Sequence, residues 1–231
     1  MSTLRVNTPP VDVRSIRRSV GARMRPAPSV EHVRHLSALP EVAAAAAVLL
    51  GSGVLAARRL SSVEQQVFDA VQVPPNALDA ALWLPMQFGS AVAAPAVAVA
   101  AWVAWQRWRP AAGALVVGLG AWEAAKLVKS VVERGRPAAV IPGYVARPGA
   151  PADGLGFVSG HSTVAFALAA VTAPYLPLPG RVAVYGLATI VGLARIHVGA
   201  HLPLDVIGGA ALGSLMGWSW NFAVGVPVGR R

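Results

Sequence analysis

The chain contains no cysteine, which excludes disulfides and thiolate-bound metals from its fold and chemistry. Charge is nearly as scarce. Only 13% of its 231 residues are Asp, Glu, Lys or Arg, against 55% hydrophobic, so a soluble domain of this length would lack a polar surface. Aromatics make up 6%, and carboxylates are half as common as cations, 10 against 20, for a formal charge of +10. Such a charge can serve a nucleic-acid binder. Here, however, Arg5, Arg14, Arg17, Arg18, Arg23, Arg25 and Arg34 crowd the amino terminus just ahead of the first apolar run. Arginines clustered beside a membrane span mark a cytoplasmic anchor, so no nucleic-acid partner is expected.

What is present in quantity is apolar sequence interrupted by short polar blocks. Residues 1–39 have no sustained apolar period and read as a mobile basic tail on the cytoplasmic side. A signal peptide would set its apolar run closer to the start, while a transit peptide stays open. Residues 40–231 then read as one membrane domain. Apolar segments at 41–57, 89–105, 111–132, 159–176, 182–196 and 203–226 give six spans, an all-α polytopic bundle. The first is short, and Arg58 and Arg59 can snorkel to extend it. Between spans one and two, Leu60, Val63, Val67, Phe68 and Val71 recur at helical spacing against Ser, Glu64, Gln and Asp69. That pattern suits a helix on the membrane interface or an ordinary packed amphipathic helix. Glu123 and Lys126, three apart in span three, are expected to form an internal ion pair. Residues 133–158 form a polar, Pro- and Gly-rich loop, and residues 177–181 a tight turn. In the last span Gly209, Gly213 and Gly217 recur every fourth residue, a face for close helix approach, inside the bundle or in a dimer through this helix.

Counting crossings brings three polar blocks to one side. Lys129 and Arg136-Pro137 end span three, and Ser159-Gly160-His161 opens span four across a loop. Span four leads away, span five returns to Arg195, and His201 and Asp205 open span six. The tail, Arg107, Arg109, Arg181, Arg230 and Arg231 fall on the opposite side, which the positive-inside rule makes cytoplasmic. Arg58 and Arg59 are the exceptions. The expected site therefore faces outward, in the cell membrane, with both termini inside.

Three cations, Lys129, Arg136 and Arg195, without matching local carboxylates call for a multivalent anion, and phosphate fits best. Ser159 suits an N-cap, Gly160 allows close backbone approach, and the free N–H groups of a helix start bind anions. Pro203 suits the first helical position, with His201 just outside and Asp205 in the first turn, where the carboxylate can bond one ring nitrogen and leave the other free to attack. His161 and His201 could then divide phosphoryl chemistry as nucleophile and proton donor. A metal on His161, His201 and Asp205 is the rival reading, opposed by the cations around it. His197 has no such partner and reads as structural.

These residues resemble the type 2 phosphatidic acid phosphatase superfamily, the lipid phosphate phosphatases. Its pattern is Lys, six residues, Arg-Pro; then Pro-Ser-Gly-His; then Ser-Arg, five residues, His, three residues, Asp. Lys129, Arg136-Pro137, Ser159-Gly160-His161, Arg195, His201 and Asp205 match in order and spacing, across a resemblance covering about residues 60–226. Val158 and Ala194 depart, standing where the family usually has Pro and Ser. The resemblance implies a six-helix, metal-independent phosphatase without cofactor, acting on a lipid phosphate. His201 would attack phosphorus to form a phosphohistidine, oriented by Asp205, and His161 would protonate the leaving oxygen. Lys129, Arg136, Ser159, Gly160 and Arg195 would hold the oxygens, with Arg134 behind them. The family acts on phosphatidic acid, phosphatidylglycerol phosphate, lysolipid and sphingoid phosphates and polyprenyl diphosphates. A lipid phosphotransferase using the same intermediate and a non-catalytic lipid-binding protein are the alternatives.

Overall fold

A computed structural model describes residues 32–33, 39–72, 77–144, 147, 150–151 and 153–227. The basic tail, apart from residues 32, 33 and 39, lies outside the described residues. Nearly everything described is helix: α1 (Leu39–Ala56), α2 (Ser62–Gln72), α3 (Ala77–Gln87), α4 (Ala93–Trp105), α5 (Trp108–Val132), a single turn α6 (Pro137–Val140), α7 (Gly160–Thr172), α8 (Leu178–His197) and α9 (Pro203–Val224). Two strands of two residues each, β1 (His32–Val33) and β2 (Val226–Pro227), pair antiparallel and bring the segment before α1 to the end of α9.

Helix α7 is the axis of the bundle, with α5, α8 and α9 packed around it. It is 13 residues long, so about 20 Å, and every residue from Thr163 to Thr172 except Phe166 is buried. The contacts are made by small side chains. Val164, Ala167, Leu168 and Val171 meet Ala93 of α4 and Ala114, Val117 and Ala121 of α5. Against α9 the fit is closer still: a Cβ at Gly209 would lie 2.6 Å from Ser159 O, one at Gly217 2.5 Å from Ala170 Cβ, and one at Gly213 would overlap Thr163 O. The glycine stripe therefore serves packing within the bundle. In lipid, where apolar solvent removes the hydrophobic drive between helices, such backbone approach is what holds helices together.

The outer faces carry the large apolar side chains. Leu50 and Val54 of α1, Val99 and Val103 of α4, and Leu127 and Val131 of α5 are all exposed, a surface suited to lipid. Among the described residues, α1 and α5 have the length and hydropathy to cross a membrane, and α4 is apolar but only 13 residues.

Several expectations need correction. The segment 89–105 is not one helix: α3 ends at Gln87, turns occupy residues 88–92, and α4 starts at Ala93. The chain breaks there because Gly89 is wedged against the start of α7, where a Cβ would lie 2.5 Å from His161 O. The expected turn at 177–181 is instead the first turn of α8, with Pro179 at a position where a missing N–H costs nothing. Helix α2 is amphipathic but rotated from the expected phase. Glu64 and Phe68 are buried, while Val63 and Val67 are exposed. Glu123 and Lys126 do pair, at 2.8 Å, but on an exposed face rather than internally.

Candidate active site

The end of α5, the following loop, the start of α7 and the α8–α9 connection meet at one end of the bundle around a pocket of about 200 Å³. Lys129, Arg136, Gly160, His161, Arg195 and His201 all line it, joined by Trp122, Ala125, Lys126 and Pro151. Residues separated by more than 70 positions thus share one cavity. Each arrives for a local reason. Helix α5 stops at Glu133, whose left-handed conformation (φ 49°) and N–H bond to Lys129 O close the helix just past the lysine. Helix α7 starts at Gly160, with Ser159 as its N-cap. Helix α9 starts at Pro203, which leaves His201 outside and Asp205 in the first turn.

The cations are held by neutral groups. Lys129 Nζ donates to Leu155 O at 2.9 Å and Gly156 O at 2.8 Å. Arg136 donates from Nε to Asp153 O and from Nη1 to Ala200 O, both at 2.8 Å. Arg195 is buried, touches Met86 Sδ at 3.7 Å, and its Nε has no acceptor. None of the three has a carboxylate partner among the described residues, so the pocket keeps a positive balance with donors to spare. Burial lowers the Arg136 pKa, against the pull of Asp205. The first N–H groups of α7 add partial positive charge from below. His161 stands beside them, its ring edge-on to Trp122 with centroids 5.7 Å apart.

Behind the pocket runs a line of buried charge. His201 Nδ1 faces Asp205 Oδ2 at 3.4 Å, a close approach that falls short of a formed hydrogen bond, and Nε2 is left for the pocket. Asp205 Oδ2 also accepts from the Leu202 N–H at 2.9 Å, and Oδ1 from Arg134 Nη1 at 3.1 Å. Arg134 in turn grips Glu64 through both terminal nitrogens, at 2.9 and 2.6 Å. Glu64 Oε1 accepts from the Leu204 N–H at 3.0 Å as well. Burial opposes the charge on Arg134, but its bonds to Glu64 and the nearby Asp205 raise its pKa on balance. Burial pushes the His201 imidazole down to about 4, more than Asp205 lifts it, and Lys129 and Arg195 add to the fall. His201 is therefore neutral at physiological pH, the form that can act as a nucleophile.

Of the eight expected site residues, six line the pocket. Ser159 and Asp205 stand behind it, fully buried. Ser159 Oγ accepts from Ser162 N and Ser162 Oγ, and its own N–H donates to Asp205 O at 2.8 Å. Its observed work is to start α7 and tie that start to α9. Val158 and Ala194, the departures from the family pattern, are buried among Phe157 and Leu212 and beside Met86 respectively, and neither lines the pocket. His197 is structural, with Nε2 2.9 Å from Asp79 Oδ1 and Nδ1 3.1 Å from Val71 O.

Two supporting residues escaped the sequence reading. Spacing puts Glu64 on the polar face of its helix, yet it is buried on Arg134. The available signal was the stripe Leu60, Glu64, Phe68, where a carboxylate interrupts an apolar spacing of four. Gly156 gave no signal: a Cβ there would lie 2.8 Å from Asp205 Oδ2 and 2.9 Å from Gly135 O.

A model described as the PAP2 superfamily matches residues 86–225. Among solved structures, the chain is similar to the first transmembrane PAP2 type phosphatidylglycerolphosphate phosphatase from Bacillus subtilis, at 22% identity over 77% of this chain and 94% of that one, with a TM-score of 0.56. It is also similar to LpxE of Aquifex aeolicus, at 20% identity over 69% of this chain and 95% of that one, with a TM-score of 0.58. No curated protein matches it. At these identities the likeness to solved structures speaks for the fold alone, whereas the matched segment takes in α4 to α9 and all three polar blocks. With that match over more than half its length, the chain belongs to the PAP2 superfamily.

Proposed function

We propose that this protein is a membrane-embedded lipid phosphatase that hydrolyses a phosphomonoester or diphosphate through a phosphohistidine. The observation that carries the reading is one pocket lined by two imidazoles and by three cations that have no carboxylate partner among the described residues. Lys129, Arg136, Arg195 and the N–H groups at Gly160 bind the phosphoryl oxygens, and Ser159 holds that helix start in place. His201 Nε2 attacks phosphorus, the bond from phosphorus to the leaving oxygen breaks, and His161 gives that oxygen a proton. Water then attacks phosphorus, gives its proton to His161, and the P–N bond breaks to release phosphate. Asp205 orients the His201 ring and stabilises the positive charge it gains. No step draws on a metal.

The pocket opens outward in a six-crossing topology with both termini cytoplasmic. The pairing of β1 with β2, which sets the start and end of the membrane domain side by side, supports an even number of crossings. The basic tail then contacts anionic lipid of the inner leaflet. Phosphatidylglycerol phosphate, the substrate named for the Bacillus subtilis protein, belongs in the first panel with phosphatidic acid and a polyprenyl diphosphate. Purified protein in detergent with EDTA should release phosphate from at least one of them, and His201→Ala should release none. A strict need for added divalent metal, or activity that survives the loss of both His201 and His161, would overturn the proposal. Label transferred to a second lipid rather than to water would replace hydrolysis with phosphotransfer.

A further inference from the structure

Arg58 and Arg59 are the two cations that the charge distribution does not account for, and they sit on the rim of a second cavity. The end of α1, the outer face of α2 and the first turns of α9 enclose a groove of about 450 Å³. Its apolar lining comes from Leu55, Val63, Val67 and Ile207, which are 51%, 67%, 46% and 46% exposed. Both arginines are exposed, and neither side chain has an anionic partner among the described residues. An apolar trough with two free guanidiniums at one end is complementary to an amphiphile with an anionic head. The alternatives fit less well. The basic tail has the same sign, and a second copy docked symmetrically would set these arginines against themselves.

The groove shares a wall with the catalytic line. Glu64, Pro203 and Leu204 line it, and Glu64 is the residue that grips Arg134 and the Leu204 N–H. Pro203 and Leu204 are the turn between His201 and Asp205. A chain lying in the groove therefore presses on the segment that sets the nucleophile, without touching the pocket itself.

We propose that a membrane phospholipid with an anionic head group binds this groove, its phosphate on Arg58 and Arg59, and that its occupancy steadies the Glu64–Arg134–Asp205 line and activates the enzyme. The binding claim is independent of the proposed function; the activation claim rests on it. The test uses the full chain in mixed micelles, with phosphatidylglycerol, a phosphodiester with no terminal phosphate to lose, compared with phosphatidylcholine. Phosphatidylglycerol should raise the melting temperature and increase kcat/KM for phosphatidic acid about fivefold or more, the range of ordinary coupling between sites. The double variant Arg58→Gln/Arg59→Gln should lose both responses and keep its activity in phosphatidylcholine. Ile207→Trp, which fills the groove and leaves the arginines, should lose them too. Equal responses in the wild type and both variants would overturn the proposal, as would no response in any. A dimer that forms through the groove without lipid would overturn it as well. A thermal response lost in the variants, in a protein inactive on every substrate, would support the lipid site and count against the proposed function.

Discussion

Asp205 accepts from a backbone N–H and a guanidinium and faces the His201 imidazole at 3.4 Å without reaching the pocket, so the residues that fix it matter as much as those that face the phosphate. Removing one carboxylate from the buried Arg134 leaves its charge balanced by Asp205 alone. Glu64→Ala should therefore be clearly destabilising, by up to about 3–5 kcal/mol in thermal or denaturant unfolding. Glu64→Gln, which keeps an acceptor for Arg134, should cost less and lower kcat more than it changes KM. Gly156→Ala should reduce activity without removing any polar group, because the new methyl meets Asp205 Oδ2 at 2.8 Å. His201 makes stability depend on pH. Its folded pKa of about 4 lies below the ordinary 6.5, so between those values the unfolded chain takes up a proton that the folded one refuses. Stability should fall as pH drops from about 6.5 to about 4, and be unaffected by this group above that window. Melting temperatures across pH should show the slope in the wild type and a weaker one in His201→Gln.

At the scale of elements, the small-residue contact between α7 and α9 positions the two helix starts that carry the chemistry. Gly213→Val should drive these helices apart, since even a Cβ at Gly213 meets the Thr163 carbonyl. The expected result is loss of the folded protein from gentle detergent, or a destabilisation of several kcal/mol, while Gly186→Ala on the open face of α8 should leave it intact. Helix starts and stops were legible in the sequence where a backbone constraint marks them, as with Pro203 at the start of α9 and Ser159 ahead of α7. The break at residues 88–92 and the rotation of α2 were not. The first depends on how closely Gly89 meets α7, and the second on where Arg134 lies, and neither contact is local.

For the whole molecule, the proposed topology has a direct test that the missing cysteines make clean. A single cysteine at Asp153 should react with an impermeant thiol reagent in intact cells, and one at Arg107 only after permeabilisation; the reverse pattern would turn the site inward. The three polar blocks and their spacing were fixed by sequence, because Lys129 to Arg136 and His201 to Asp205 are local relations set by helix pitch and by proline. That the blocks share one end is expected from counting six crossings, and the shared pocket agrees with that expectation. Tertiary structure alone decided that Glu64 completes the line of charge behind the histidines. Glu64 and Arg134 are 70 positions apart, and a carboxylate on an amphipathic helix looks solvated until packing buries it against its guanidinium. The groove beneath Arg58 and Arg59 arose in the same way, because a cavity is the space three elements leave between them, and no one of their sequences encodes it.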